Sequence, residues 1–294
     1  RGFTLPSGTH RGGREKDNRE GREAFIMGKA IKQMTALVLA VLFLGLTGCA
    51  GRSPQPEAPK NGTLVIGSDI YSPYFYLDDN GNFAGIDVEI ASEACRRLEK
   101  KAEFRQIVWQ DKDTFLNAGT VDCLWGSFTM NDREDEYAWA GPYMHSRQVV
   151  AVNATSNIYS LCDLNDKCIA VQNSSKPEML FLTDAVPGVS VKKVYSFSTM
   201  PSVFAALKKG YVDACAGHET ACRDHMKNIT GDYRILDEIL LKADLGVAFN
   251  KETGREQAAE LTAVLEEMKK DGTIRSILEK YDLDVDFALK GDGA

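Results

Sequence analysis

The chain has 294 residues, with 35 Lys+Arg against 42 Asp+Glu and seven cysteines. Eight of the basic and four of the acidic residues lie before Cys49, so the remainder carries a formal net charge of −11. An acidic domain of that kind excludes nucleic acid as a partner class, and the roughly 230 residues after position 61 suffice for one large or two small domains.

Residues 1–26 are polar, Gly-rich and basic, and the first Met is Met27, with Met34 a weaker second start. This stretch is expected to be upstream sequence rather than native protein. From Met27 the chain reads as a targeting segment: Lys29 and Lys32 precede the apolar run Thr35 to Leu46, too short for the ~20 residues of a membrane span. The run ends in Leu46-Thr47-Gly48-Cys49, which resembles the lipobox of bacterial lipoproteins. That resemblance implies a signal peptide over 27–48 and lipidation of Cys49; an ordinary signal peptide with an incidental Cys is the alternative. Residues 49–61, with Pro54, Pro56 and Pro59, read as an extended tether.

Strands are expected at 63–67, 102–108, 121–126, 148–153, 169–172, 189–195, 211–216 and 245–249. Asp79-Asn80-Gly81-Asn82 marks a hairpin turn. Apolar residues at helical spacing predict helices at 86–100, 255–270 and 273–281, with shorter ones at 112–117, 176–183, 199–209 and 219–227; Ser174 or Ser175 can cap the helix at 176. Strand and helix alternate, which predicts an α/β fold with mostly parallel sheets. The unit strand–helix–strand–helix–strand occurs twice, and Gly119-Thr120-Val121-Asp122-Cys123 is echoed by Gly210-Tyr211-Val212-Asp213-Ala214. Two similar lobes with a cleft between them are expected, with ligands beyond the carboxyl ends of the strands.

One stretch bears on chemistry. The strand at Val121 opens into Ser127, Thr129 and Arg133. Two hydroxyls and a guanidinium at one sheet edge suit a small carboxylate, which Arg grips bidentately. A core strand followed by a solvated charge run is the plainer alternative. Among the cysteines, Cys162 and Cys168 flank a turn and are the favoured disulfide, with Cys215–Cys222 a second pair; Cys95 and Cys123 read as buried thiols. No spacing suggests a metal site, and no cofactor is expected.

Several segments, in order, resemble landmarks of the family 3 extracellular solute-binding proteins, the amino-acid receptor class of ABC importers. They are Tyr71-Ser72-Pro73-Tyr74-Phe75, Gly85-Ile86-Asp87-Val88-Glu89-Ile90-Ala91, Gly119-Thr120-Val121-Asp122 with the hydroxyl-to-arginine run, Ala140-Gly141-Pro142-Tyr143, Cys168-Ile169-Ala170-Val171-Gln172, the second Val-Asp strand, and Met268-Lys269-Lys270-Asp271-Gly272-Thr273. The resemblance covers about residues 61–283. It implies a two-lobed periplasmic binding protein type II fold, with lobe 1 at 62–148 and 245–290 and lobe 2 at 149–244. A hinge of two crossover strands, about 148–153 and 244–249, would let the lobes close over a ligand. By position it implies that Tyr71, with Trp109 beside it, walls the ligand, that Ser127 and Thr129 bind it, and that Arg133 takes its carboxylate. Ser174, Ser175 and Lys176 would add donors from lobe 2.

Two departures stand out. The step from Thr129 to Arg133 is one residue shorter than the family's, and His218 stands where the family places an Asp for the α-ammonium. Either Glu219 supplies that charge or the ligand is not a standard α-amino acid; His218 as a helix-capping residue and Lys176 as a solvated side chain are the plainer alternatives. Tyr74, Phe75 and Tyr76 read as loop-packing aromatics. The function implied is a lipid-anchored receptor on the outer face of the bacterial cell membrane or in the periplasm. It would be a monomer that captures a small polar solute, an amino acid or a relative of one, and passes it to an ABC permease, without catalysis. The competing functions are a dehydratase of prephenate-like acids on the same scaffold, using His218 and Glu219 as acid and base, and a sensor subunit.

Overall fold

The computed structural model describes residues 62–291; the expected upstream segment, the signal peptide, Cys49 and the tether lie outside the described residues. One set of elements comprises β1 (Thr63–Ser68), the hairpin β2 (Tyr76–Leu77) and β3 (Phe83–Ala84), α1 (Ile86–Arg97), β4 (Lys101–Gln106), α2 (Lys112–Asn117) and β5 (Cys123–Thr129). The long strand β6 (Ala138–Asn153) leads to a second set: β7 (Cys168–Gln172), α3 (Lys176–Leu182), β8 (Lys193–Phe197), α4 (Met200–Lys208), β9 (Ala214–His218) and α5 (Glu219–Asn228). After β10 (Tyr233–Ile235), strand β11 (Leu241–Phe249) returns to the first set, followed by α6 (Arg255–Lys270), α7 (Thr273–Leu278) and α8 (Val285–Lys290).

The strand order β4-β1-β5-β11-β6-β9-β7-β8, with β10 on β6, joins two parallel groups through an antiparallel pair. This is a two-lobed α/β fold, and β6 and β11 are the strands that cross between lobes. The helices form where the apolar spacing predicts: Ile86, Ile90, Ala91, Ala94 and Cys95 of α1 are buried, as are Ala258, Leu261, Leu265 and Met268 of α6.

The repeated Val-Asp motif is a structural repeat. Asp122 accepts from Val65 N at 2.7 Å, and Asp213 accepts from Cys168 N at 2.8 Å. Each Asp therefore takes a backbone N–H from the neighbouring parallel strand, within β1 for Asp122 and at the start of β7 for Asp213. The glycines that open the motifs take φ of 65° at Gly119 and 68° at Gly210, a left-handed turn that glycine enters without a Cβ clash. The same local chemistry thus sets both lobes in register.

Four expectations need correction. The crossover strand β6 begins ten residues before the expected 148, because Gly141-Pro142 interrupts its pattern; Pro cannot donate to a ladder, and the partner strand shifts register between Leu245 and Val247. Strand β8 starts at Lys193 rather than 189. The three-residue β10 is too short to show alternation, and α8 is a helix beyond those expected, capped by Asp284 accepting from Phe287 N at 3.1 Å. Finally, all six described cysteines are free. Cys162 sits in a 3-10 turn (Leu161–Leu164) closed by Asn165, which bonds the Cys162 and Gly188 carbonyls at 2.9 and 3.1 Å, so the turn needs no crosslink. Cys215 and Cys222 are buried beside one another as thiols, each pushed up by burial.

Candidate functional site

The carboxyl ends of β1 and β5 face those of β7 and β9 across a cavity of about 30 Å³. That is room for about two water molecules, so a larger solute enters only when the lobes part. Tyr71, Trp109, Ser127, Thr129 and Arg133 line the cavity from lobe 1, and Ser174, Ser175, Lys176 and His218 line it from lobe 2. Nine of the ten residues expected at the site therefore converge.

On the lobe 1 side, β5 ends in a strained residue. Ser127 has φ 46°, a left-handed conformation uncommon outside Gly, Asn and Asp. Its N–H donates to Asp87 Oδ2 at 2.6 Å, while Tyr143 donates its hydroxyl to Asp87 Oδ1 at 2.7 Å. Asp87 thus ties the site to the crossover strand, and burial pushes its carboxyl up to about 7. A Cβ at Gly126 would lie 2.1 Å from Ser68 Oγ, so any side chain there would have to displace that hydroxyl.

Arg133 turns back into the cavity despite the shortened step from Thr129. Its guanidinium donates to the carbonyls of Thr129 at 3.2 Å and Ser174 at 3.5 Å, and lies 5.2 Å from the centre of the Phe128 ring. Trp139 Nε1 donates to the Arg133 carbonyl at 2.9 Å and fixes the backbone there. Burial pulls the Arg133 pKa down, and the nearby carboxylates Glu136, Asp113 and Asp132 only partly oppose it.

Lys176 is not a solvated side chain: it is 2 % exposed and reaches across the cleft to Asp132 Oδ2 at 2.5 Å and the Asn131 carbonyl at 3.0 Å. A second bridge runs from Gln172 Nε2 at the end of β7 to Asp69 Oδ2 at 2.5 Å, and a third from Asn173 Nδ2 to Gln110 Oε1 at 3.1 Å. These contacts hold the lobes closed.

His218 caps α5 by its backbone angles, yet its side chain makes no cap bond and turns into the cleft. Its ring nitrogens lie 3.0 Å from Ser146 Oγ and 2.9 Å from Gln148 Nε2, and its N–H donates to Tyr71 Oη at 3.3 Å. Burial pushes the imidazole down to about 4, so it is neutral at pH 7. The next residue, Glu219, is absent from the cavity wall. It faces a separate cavity of about 340 Å³ behind the hinge, paired with Arg147 at 3.2 Å and Arg223 at 2.7 Å. The step from strand to helix turns the two neighbours in opposite directions.

The wall also contains residues that the sequence did not single out. Asp69, Gln148 and Gln172 line the cavity and are buried. Burial raises Asp69 to about 6, against which the Gln172 bond works. The available hint was a polar residue at the end of a buried strand, as in Ile169-Ala170-Val171-Gln172 and Ile66-Gly67-Ser68-Asp69.

Comparison with known proteins agrees with this geometry. The L-cystine-binding protein TcyA of Bacillus subtilis is 27% identical over 266 residues, covering 85% of this chain and 97% of that protein. The L-cystine-binding protein TcyJ of Escherichia coli is 26% identical over 230 residues, covering 76% and 84%. Among solved structures, an ancestral arginine-binding protein bound to arginine superposes with a TM-score of 0.69 at 29% identity, covering 76% of this chain and 99% of that one. Residues 64–284 match the family model of the bacterial extracellular solute-binding proteins, family 3, and the chain belongs to that family.

Proposed function

We propose that this chain is the capture subunit of an ABC importer and binds an amino acid between its two lobes. The observation that carries the proposal is Arg133: a half-buried guanidinium in the cavity wall, hydrogen-bonded only to carbonyl oxygens, beside Ser127 and Thr129. A carboxylate placed there would gain a bidentate, charge-assisted grip plus two hydroxyl donors. Tyr71 and Trp109 would wall the solute, and Ser174, Ser175 and Lys176 would close over it from lobe 2 (residues 149–244), with 62–148 and 245–290 forming lobe 1. Relatives named for cystine, glutamine and arginine support an amino acid as the solute class.

Closure would be a hinge motion about β6 and β11. The ligand would replace the lobe-bridging bonds of Gln172 and Lys176 with its own. The chain would work as an exported monomer, its signal peptide at 27–48 removed, with Cys49 lipidated and residues 49–61 tethering it near the permease. Catalysis is not part of the proposal. One solved relative is an amino acid-binding precursor of cyclohexadienyl dehydratase, but the acid–base pair of that reading is split here, since His218 and Glu219 line different cavities.

The test is a thermal-shift and calorimetric screen of residues 50–294 against amino acids and other carboxylates. Stabilisation by at least one amino acid is expected, because a ligand that binds only the folded state raises the midpoint by mass action. No response from any amino acid would overturn the proposal. Fractionation of cells expressing Cys49→Ser tests the anchor: release from membranes is expected, and continued membrane association would contradict it.

A further inference from the structure

Lys112, the first residue of α2, does not line the cavity but sits on two rings that do. It is buried, yet its nearest carboxylate oxygen, Asp113 Oδ2, lies 3.6 Å away, too long for a hydrogen bond. The other Asp113 oxygen accepts from the Tyr137 hydroxyl at 2.5 Å. What meets the ammonium is aromatic. Nζ lies 5.6 Å from the centre of the Trp109 ring and 5.7 Å from that of Phe128, within the ~6 Å at which a ring face attracts a cation. These two rings pack edge to face at 4.9 Å, and both belong to the cavity wall.

Phe128 joins this lysine to the carboxylate site. The Arg133 guanidinium lies 5.2 Å from the centre of the same ring, so one aromatic side chain carries two cations. Tyr137 and Trp139 brace that ring at 5.3 and 5.0 Å. Burial pulls the Lys112 pKa down, Asp113 opposes the pull, and Arg133 adds to it, as a like charge close by must. A desolvated ammonium without a good hydrogen bond destabilises the fold, and an apolar side chain of similar length would suit this wall better. A charge kept at that cost, on the ring that also carries Arg133, points to a role at the site.

We propose that Lys112 is a positioning residue for carboxylate capture: it holds the Trp109 and Phe128 rings in the cavity wall, repels the Arg133 guanidinium toward the cleft, and adds its positive potential where the carboxylate docks. The inference rests on the amino-acid reading above, with Arg133 as the group that grips the acid. Among the described residues Arg133 hydrogen-bonds no carboxylate, only the Thr129 and Ser174 carbonyls. The two cations on the Phe128 ring therefore share an unmet demand for negative charge, and a carboxylate entering between the lobes answers both. Lys112 acts through Arg133 and the rings and does not touch the solute.

The test is isothermal titration of the wild type, Lys112→Met and Lys112→Arg with the standard amino acids and L-cystine, beside thermal melts of each ligand-free protein. Lys112→Met keeps the length of the side chain and removes its charge, whereas Lys112→Arg keeps the charge. For the amino acid that the wild type binds best, Lys112→Met should lose affinity by about five- to tenfold and Lys112→Arg by about twofold at most, the scale of a charge acting from beyond hydrogen-bond reach. Lys112→Met should also melt no lower than the wild type, because it removes a desolvated charge. A lower melting temperature in Lys112→Met would make the lysine a structural residue and overturn the proposal. Equal losses of affinity in the two variants would overturn it as well, since shape and not charge would then matter. Unchanged affinity in Lys112→Met would end the role of Lys112 and leave the amino-acid reading standing. A wild type that binds none of these solutes would bring down both.

Discussion

Two clusters of charge sit on opposite faces of the same crossover strands, and they are built differently. Behind the hinge, Arg147 holds Glu219 and Asp284 at 3.2 Å each and stacks 3.7 Å from the centre of the Phe287 ring, while Arg223 bonds Glu219 at 2.7 Å. Every charge there has its opposite. In front, Arg133 and Asp69 line a small cavity where their side-chain hydrogen bonds reach only carbonyls and an amide. The back cluster has the form of a structural fastening, and the front one has the form of half a binding reaction. What separates a site from a salt-bridge network in this molecule is which charges remain unmet.

The comparison breaks most visibly at Arg133. Arg133→Ala should weaken binding of the best ligand by 100-fold or more, about 3 kcal/mol for a bidentate charge-assisted pair, as measured by calorimetry. A change under tenfold would mean that the carboxylate is held elsewhere.

The pH response comes next. Burial lifts Asp69 from an ordinary 3.8 to about 6 and Asp87 to about 7. Both are more easily protonated in the folded closed state than in the unfolded chain, so each penalises the fold above its raised pKa and relieves it as pH falls toward 4. His218 has the opposite sign: pushed from 6.5 to about 4, it withdraws stability as pH drops through that window. Two groups against one leave a net gain of about 2 kcal/mol between pH 7.5 and pH 5 at about 1.4 kcal/mol per unit. The ligand-free protein should therefore melt several degrees higher at pH 5 than at pH 7.5, and Asp69→Asn should reduce the difference. A melting temperature that falls over this range would contradict the assignment.

Much of the fold was legible because it repeats. The Gly-x-Val-Asp motif at Asp122 and Asp213 builds the same bond to a neighbouring strand twice, and the apolar stripes of α1 and α6 carry a helical period through to burial. The first half of β6 was hidden by Gly141-Pro142, and β10 by its length. At the site, the hydroxyl-to-arginine run was readable because the residue types suit a carboxylate. Asp69 was not: a single Asp after a strand looks like a solvated turn residue, and its partner Gln172 comes from a strand 103 residues away. Glu219 faces away from the expected site for a related reason. It starts α5 immediately after the last residue of β9, and the change of period at that junction redirects the side chain.

The back of the hinge should respond more weakly. Arg147→Ala leaves Asp284 without its arginine and Glu219 with Arg223 alone, and because the Arg147 side chain is 26% exposed, the loss should be about 1 kcal/mol. In thermal melts that is a drop of a few degrees, with ligand affinity within about fivefold of wild type. Smallest of all, Glu219→Gln should leave affinity within about twofold; a tenfold loss would return this residue to the ligand site and undo the contrast between the two clusters.

The most direct measurement is a crystal structure of the protein with its best amino-acid ligand. The ligand's carboxylate should lie between the lobes within about 3.2 Å of the Arg133 guanidinium, the range of a charge-assisted hydrogen bond. A carboxylate bound anywhere else, above all against Arg147 or Arg223 behind the hinge, would contradict it.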